Sequence, residues 1–206
     1  MSGRIDWAPM RRFLALLFAL ALLVSAAQAA EAEELRALTA ETVMRTQAEA
    51  AAETAPVRVA IIDSGISTGA VSVERIAAGS NYIRPQDDTE DKLGHGTAVA
   101  AIIAGSEKAR VTGICPSAAL VPLVYCSADE DGREVSGGTA MTAQAVYDAV
   151  DVYGCRIINI SSGTATDSKA LRDAVDYAAS RGALVVSSAG NAGRADPDAV
   201  YYLGAF

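Results

Sequence analysis

The chain has 206 residues, of which 51% are apolar, enough for one ordinary core once any processing segment is set aside. Lys and Arg number 17 against 25 Asp and Glu, for a net charge of −8, which argues against a nucleic-acid phosphate backbone as partner. The charge is scattered, and its densest acidic patch, Asp87-Asp88-Thr89-Glu90-Asp91, reads as a solvated loop.

In chain order, Arg11 and Arg12 precede twelve unbroken apolar residues, Phe13 to Val24, followed by small residues ending Ala27-Gln28-Ala29. That is the pattern of a secretory signal peptide over residues 1–29, too short for a spanning helix of about 20 residues, so membrane contact is expected to be transient and the product exported. Residues 30–55 are rich in Ala and Glu without Gly or Pro, and Pro56 closes them: a helical pro-segment or linker.

From Pro56 onward, strand-length apolar runs alternate with helical patterns. Val57–Ile62 reads as a strand covered on both faces, Thr97–Ala104 as a buried helix of small residues, and Leu120–Tyr125 as a second strand. Met141–Tyr153 follows as a helix with Ala145, Val146, Ala149 and Val150 on one face, then strand Arg156–Ile160, helix Ala170–Ser180 and strand Ala183–Ser187. The order β-α-β-α-β-α-β predicts an α/β fold with an open, mostly parallel sheet and crossover helices, whose ligands sit at the carboxyl ends of the strands. Cys115, Cys126 and Cys155 are odd in number, and each lies beside an apolar run as a small hydrophobe would.

Three segments at that sheet edge carry the chemistry. Ile61-Ile62-Asp63-Ser64-Gly65 puts a carboxylate at a strand end, although an Asp there is also a common turn residue. Gly94-His95-Gly96-Thr97-Ala98-Val99-Ala100 holds the only histidine of the chain, uncrowded at a helix start, where a neutral imidazole can take a proton from a nucleophile. Asp63 would hold its other ring nitrogen. Ser187-Ser188-Ala189-Gly190-Asn191-Ala192-Gly193 ends the last strand with an amide able to donate to a developing oxyanion, or else forms a plain loop.

Val59 to Gly65, Gly94 to Ala100 and Ala189-Gly190-Asn191, in this order, resemble motifs of the subtilisin-like serine endopeptidases, and the resemblance runs from about Pro56 to Phe206. It implies a three-layer subtilisin-like fold, incomplete at the C-terminus, with Asp63 as orienting acid, His95 as general base and Asn191 as oxyanion donor. It further implies that Ser136-Gly137-Gly138 and Ser161-Ser162-Gly163 are two edges between which a peptide or protein substrate lies as an added strand. The family's serine belongs in a Gly-Thr-Ser motif after the oxyanion asparagine, but none of the fifteen residues following Asn191 is serine; Gly138-Thr139-Ala140 imitates the motif ahead of its place. The chain alone is therefore expected to be inactive, either as the N-terminal part of an endopeptidase or as a non-catalytic peptide-binding product. No metal and no cofactor are expected, since Ser106-Glu107-Lys108-Ala109-Arg110 lacks the asparagine-rich calcium loop of some members.

Overall fold

The computed structural model describes Glu41, residues 56–190 and residues 202–204. The signal peptide, the helical segment expected over residues 30–55 apart from Glu41, and Asn191 lie outside the described residues.

Among the described residues five strands form one parallel sheet in the order β2-β3-β1-β6-β7. β1 is Arg58–Asp63, β2 Ser80–Asn81, β3 Ala119–Val124, β6 Ile157–Ile160 and β7 Leu184–Ser187. The central position of β1 explains its unbroken apolar run: Val59 to Ile62 are all buried, because a strand covered on both faces has no solvent side for a polar residue. Between β3 and β6 a short antiparallel hairpin, β4 (Cys126–Ala128) and β5 (Glu134–Ser136), stands apart from the main sheet.

Among the described residues three helices cover the sheet: α1 (His95–Ala104), α2 (Gly138–Asp151) and α3 (Lys169–Ser180). The β2–α1–β3 connection crosses the sheet in the same direction as β3–α2–β6 and β6–α3–β7 but on the opposite face, so its hand is opposite to theirs, against the usual uniform right-handedness. α1 lies on one face of the sheet and α2 and α3 on the other. Two separate cores bear this out. Val59, Ile61 and Leu120 pack with Ala100, Ala101 and Ala104 of α1, while Ala60, Ile62, Val121 and Ile158 pack with Val146 and Ala149 of α2 and Leu171 and Ala174 of α3. The fold is thus a three-layer α/β sandwich with a mostly parallel sheet, as expected from the alternation of runs.

Element limits move by one to three residues from the sequence reading, with α1 beginning two residues earlier, at His95. α1 is also less buried than its composition implies, since Ile102 is 57% exposed. β2 and the β4–β5 hairpin were not anticipated. Among the described residues β7 forms one sheet edge, and its Leu184 and Val186 are exposed. All three cysteines are free, with Cys126 and Cys155 buried and Cys115 half-buried.

Candidate active site

Because β1, β3, β6 and β7 are parallel, their carboxyl ends share one edge, and the β1 register brings Asp63 to it opposite Val124 of β3. There the Asp63 carboxylate meets the His95 ring: Nδ1 lies 2.8 Å from Oδ1 and 2.9 Å from Oδ2. The two partners differ in solvation, with the Asp63 side chain 6% exposed and that of His95 59%. A carboxylate can only accept, so Nδ1 carries the hydrogen and Nε2 is left with a free lone pair on the solvent side, able to take up a proton.

Short-range bonds hold the acid in place. Its Oδ1 accepts from the Ser64 backbone N–H at 2.8 Å and lies 3.3 Å from the Ser64 hydroxyl. That hydroxyl in turn accepts from the Gly96 N–H at 2.9 Å, tying the end of β1 to the first turn of α1. Both glycines around His95 have a physical reason. Gly94 adopts φ +88°, which side chains disfavour, and a Cβ on Gly96 would lie 2.3 Å from the Gly65 carbonyl oxygen and 3.2 Å from Cβ of Asp63. Only a bare backbone lets the helix approach the strand end closely enough for the ring to reach the carboxylate.

The subtilase family profile matches residues 54–205, most of the chain and all of the region that builds this pair. The chain belongs to the subtilase family. Among curated proteins, this subtilase chain is similar to mycosin-3 of Mycobacterium tuberculosis, 35% identical over 97 residues that make up 47% of the chain and 21% of the mycosin. Mycosin-4 of the same organism is 34% identical over 112 residues, 50% of the chain and 24% of the relative. Among solved structures, a psychrophilic protease matches with a TM-score of 0.60 and 27% identity, over 74% of this chain and 51% of that one. A serine-to-alanine mutant of the protease domain of PatA matches with a TM-score of 0.54 and 27% identity, over 73% and 54%. The alignments thus span less than a quarter of the mycosins and about half of the solved proteases.

Segments 136–138 and 161–163 of the subtilase chain come together. Ser136 is the last residue of β5, Gly137 precedes α2 and Gly138 begins it, so this segment is a strand-to-helix corner. Ser161, Ser162 and Gly163 follow β6 directly. Ser136, Gly138, Ser162 and Gly163 line one cavity of about 230 Å³, with Tyr125 on its wall and Leu171 and Leu203 among its apolar lining. A larger cavity of about 900 Å³ lies beside Gly105 to Thr112, beyond the carboxyl end of α1. It is roughly 15 Å from His95 by helical rise and carries mixed charges with no acid–base pair. The smaller cavity is tied to the acid through its wall, since the Tyr125 N–H donates to the Asp63 carbonyl oxygen at 3.1 Å. Ser188 N–H donates to Ile160 O at 3.3 Å, keeping the residue after β7 beside the end of β6.

Three residues of the site escaped the sequence reading. Asn159 of β6 donates from Nδ2 to the Ser161 hydroxyl at 2.8 Å, fixing one of the two predicted substrate segments. Cys126 lies near the acid; burial first, then the charges of Asp63 and Glu134, push its thiol up to about 12, so it is no substitute nucleophile. Asp91, placed in the solvated acidic loop, is half-buried and turned inward. Its carboxylate accepts from the N–H groups of Leu93, Gly94 and Thr97 and from the Thr97 hydroxyl. Asp87 and Asp88 are exposed, so the loop reading holds for them alone. An acid a few residues ahead of a glycine-opened helix is the local signal that would have found Asp91.

Proposed function

We propose that this chain carries the acid–base half of a serine endopeptidase, and the observation that supports it best is the 2.8 Å approach of His95 Nδ1 to the buried Asp63 carboxylate. Asp63 holds the ring in the Nδ1–H form. His95 Nε2 takes the proton from a serine hydroxyl supplied by polypeptide beyond residue 206, and the serine oxygen attacks the scissile carbonyl. Asn191 and a backbone N–H receive the negative oxygen of the tetrahedral intermediate. The imidazolium then returns its proton to the departing amine, leaving an acyl-enzyme that water hydrolyses by the same proton path. The substrate is a peptide or protein segment lying between residues 136–138 and 161–163, whose small side chains and shared cavity suit close backbone approach. Membership of the subtilase family supports serine-type hydrolysis. Residues 1–29 serve as an export signal, residues 30–55 as a pro-segment or linker, and residues 56–206 as part of the peptidase domain, so the 206 residues alone hold acid and base without their nucleophile.

The test is cleavage of an unstructured peptide by the protein translated from the whole reading frame. His95→Ala and Asp63→Asn should each lower kcat/KM by about four orders of magnitude, the second by leaving the ring in the wrong tautomer. Cleavage that survives both substitutions, or binding of the peptide without cleavage by the unmutated protein, would refute the reading.

A further inference from the structure

α1 begins without a cap of its own. Its N-cap residue is Gly94, in the left-handed region, and no side chain at that position bonds to the helix. The amides of an opening turn have no partners within the helix and need acceptors from elsewhere. Here two residues outside the helix supply them. Ser64 takes the Gly96 N–H, and Asp91 takes Thr97 and the two residues ahead of the helix: Oδ1 accepts from Leu93 N–H at 2.9 Å and Gly94 N–H at 2.8 Å, and Oδ2 accepts from Thr97 N–H at 2.9 Å and Thr97 Oγ1–H at 2.7 Å. One carboxylate therefore brackets His95 in sequence, from two residues before it to two after it.

The same carboxylate reaches the acid's side of the pair. Thr97 Oγ1, while donating to Asp91, accepts from the Ser67 N–H at 2.9 Å, and Ser67 lies on the loop that leaves β1 just past Asp63. Two further bonds fix that loop to residues immediately ahead of Asp91: Ile66 N–H to Thr89 O at 3.0 Å, and Ser67 Oγ–H to Glu90 Oε1 at 2.6 Å. Segment 89–91 is thus wedged between the two backbones whose separation sets the distance from His95 Nδ1 to Asp63. The ring itself is 59% exposed, so packing does little to fix it. Its place depends on the backbone beneath it and on the one carboxylate it touches.

We propose that Asp91 is a positioning residue for the acid–base pair, its carboxylate locking the backbone that carries His95 to the loop that follows Asp63. The assignment rests on the reading of Asp63 and His95 as that pair. Hydrogen bonding to a full negative charge at a helix N-terminus makes the lock stiff, since each such bond is stronger than a neutral one. Asparagine has the same shape but one acceptor oxygen in place of two, and its NH₂ would face N–H donors, so Asp91→Asn should open the turn while leaving the sheet and its cores untouched.

The experiment reads the imidazole directly. The chain has a single histidine, so isotope-labelled histidine gives one ring in the nuclear magnetic resonance spectrum. In the unmutated chain the Nδ1 proton should be observable and the Nδ1–H form dominant. In Asp91→Asn that form should no longer dominate, and exchange of the Nδ1 proton with solvent should speed up about tenfold or more, as local opening of the turn requires. Ser168→Ala, which weakens the cap of α3 on the far layer, should leave the signal unchanged, separating positioning from general loss of stability. An Asp91→Asn chain that is folded and keeps both tautomer and exchange rate of the parent overturns the proposal. Should that variant fail to fold, Thr97→Val removes only the hydroxyl link between Asp91 and Ser67, and the same signal decides: loss of the Nδ1–H form supports the lock, an unchanged signal overturns it. Because the readout is the resting imidazole, it stands whether or not any peptide is cleaved, so failure of the lock and failure of the peptidase reading are told apart.

Discussion

α1 and α3 are helices of similar length, 10 and 12 residues, that begin in opposite ways. α3 opens by local rules. Ser168 is its N-cap and accepts from Leu171 N–H at 3.4 Å, Lys169 pairs with Asp173 one turn on, and Leu171, Ala174 and Ala178 face the core at helical spacing. α1 also packs small residues on the core but has no local cap: a left-handed glycine stands at its start, a second glycine sits inside its first turn, and the amides of Gly94, Gly96 and Thr97 bond to Ser64 and Asp91. The difference follows from the task of each end. The start of α3 must only stop fraying, whereas the start of α1 must bring an imidazole to a buried carboxylate on another element. That demands a bare backbone at the contact and clamps from both sides.

The sharpest way to break this contrast is to add one methyl group where α1 touches β1. Gly96→Ala would set a Cβ 2.3 Å from the Gly65 carbonyl oxygen, so backbone must move, and the chain should lose roughly 3 kcal/mol or more in urea unfolding. The next effect in size is expected at Ser64, which is fully buried: Ser64→Ala leaves the Gly96 N–H without its acceptor and should cost about 1–3 kcal/mol. Acid sharpens the comparison without mutation. Burial pushes the Asp91 carboxyl up, but the bonds from Thr97, Gly94 and Leu93 outweigh it and hold the group below its ordinary 3.8. A group depressed in the folded state stabilises fully above its unfolded value, and that contribution is lost as the pH falls from about 3.8 through the depressed value. The stability difference between the parent and Asp91→Asn should therefore shrink over that range in chemical unfolding. The smallest effect belongs to α3, where Ser168→Ala removes a long, partly exposed cap bond and should cost about 0.5–1 kcal/mol, with the His95 ring unmoved.

The same contrast separates what could be read in the sequence from what could not. Val59 to Ile62 announced a central strand because burial on both faces leaves no polar position, and Ala170–Ser180 announced a helix, observed one residue longer, because its apolar residues keep one period. Asp63 and His95 were legible as chemistry because a strand-end carboxylate and a glycine-flanked lone histidine are unusual together. The start of α1 was missed by two residues because Gly94 and Gly96 read locally as loop, while the forces that make them helical come from residues 64 and 91. β2, two residues long, is held by backbone pairing to β3 and leaves no apolar pattern. The β4–β5 hairpin could have been seen: Asp129 accepts from the N–H groups of Asp131 and Arg133, the local turn that an Asp-Glu-Asp-Gly sequence favours. Asp91 was hidden by its neighbours, since nothing in a run of acids distinguishes the one that turns inward.

The most direct test of the central claim is labelling of the protein from the whole reading frame with a fluorophosphonate, followed by mapping of the modified residue. The account predicts one labelled serine, C-terminal to Asn191, and loss of labelling in His95→Ala. A label on a residue within the 206 described by this sequence, or labelling that persists without His95, would contradict it.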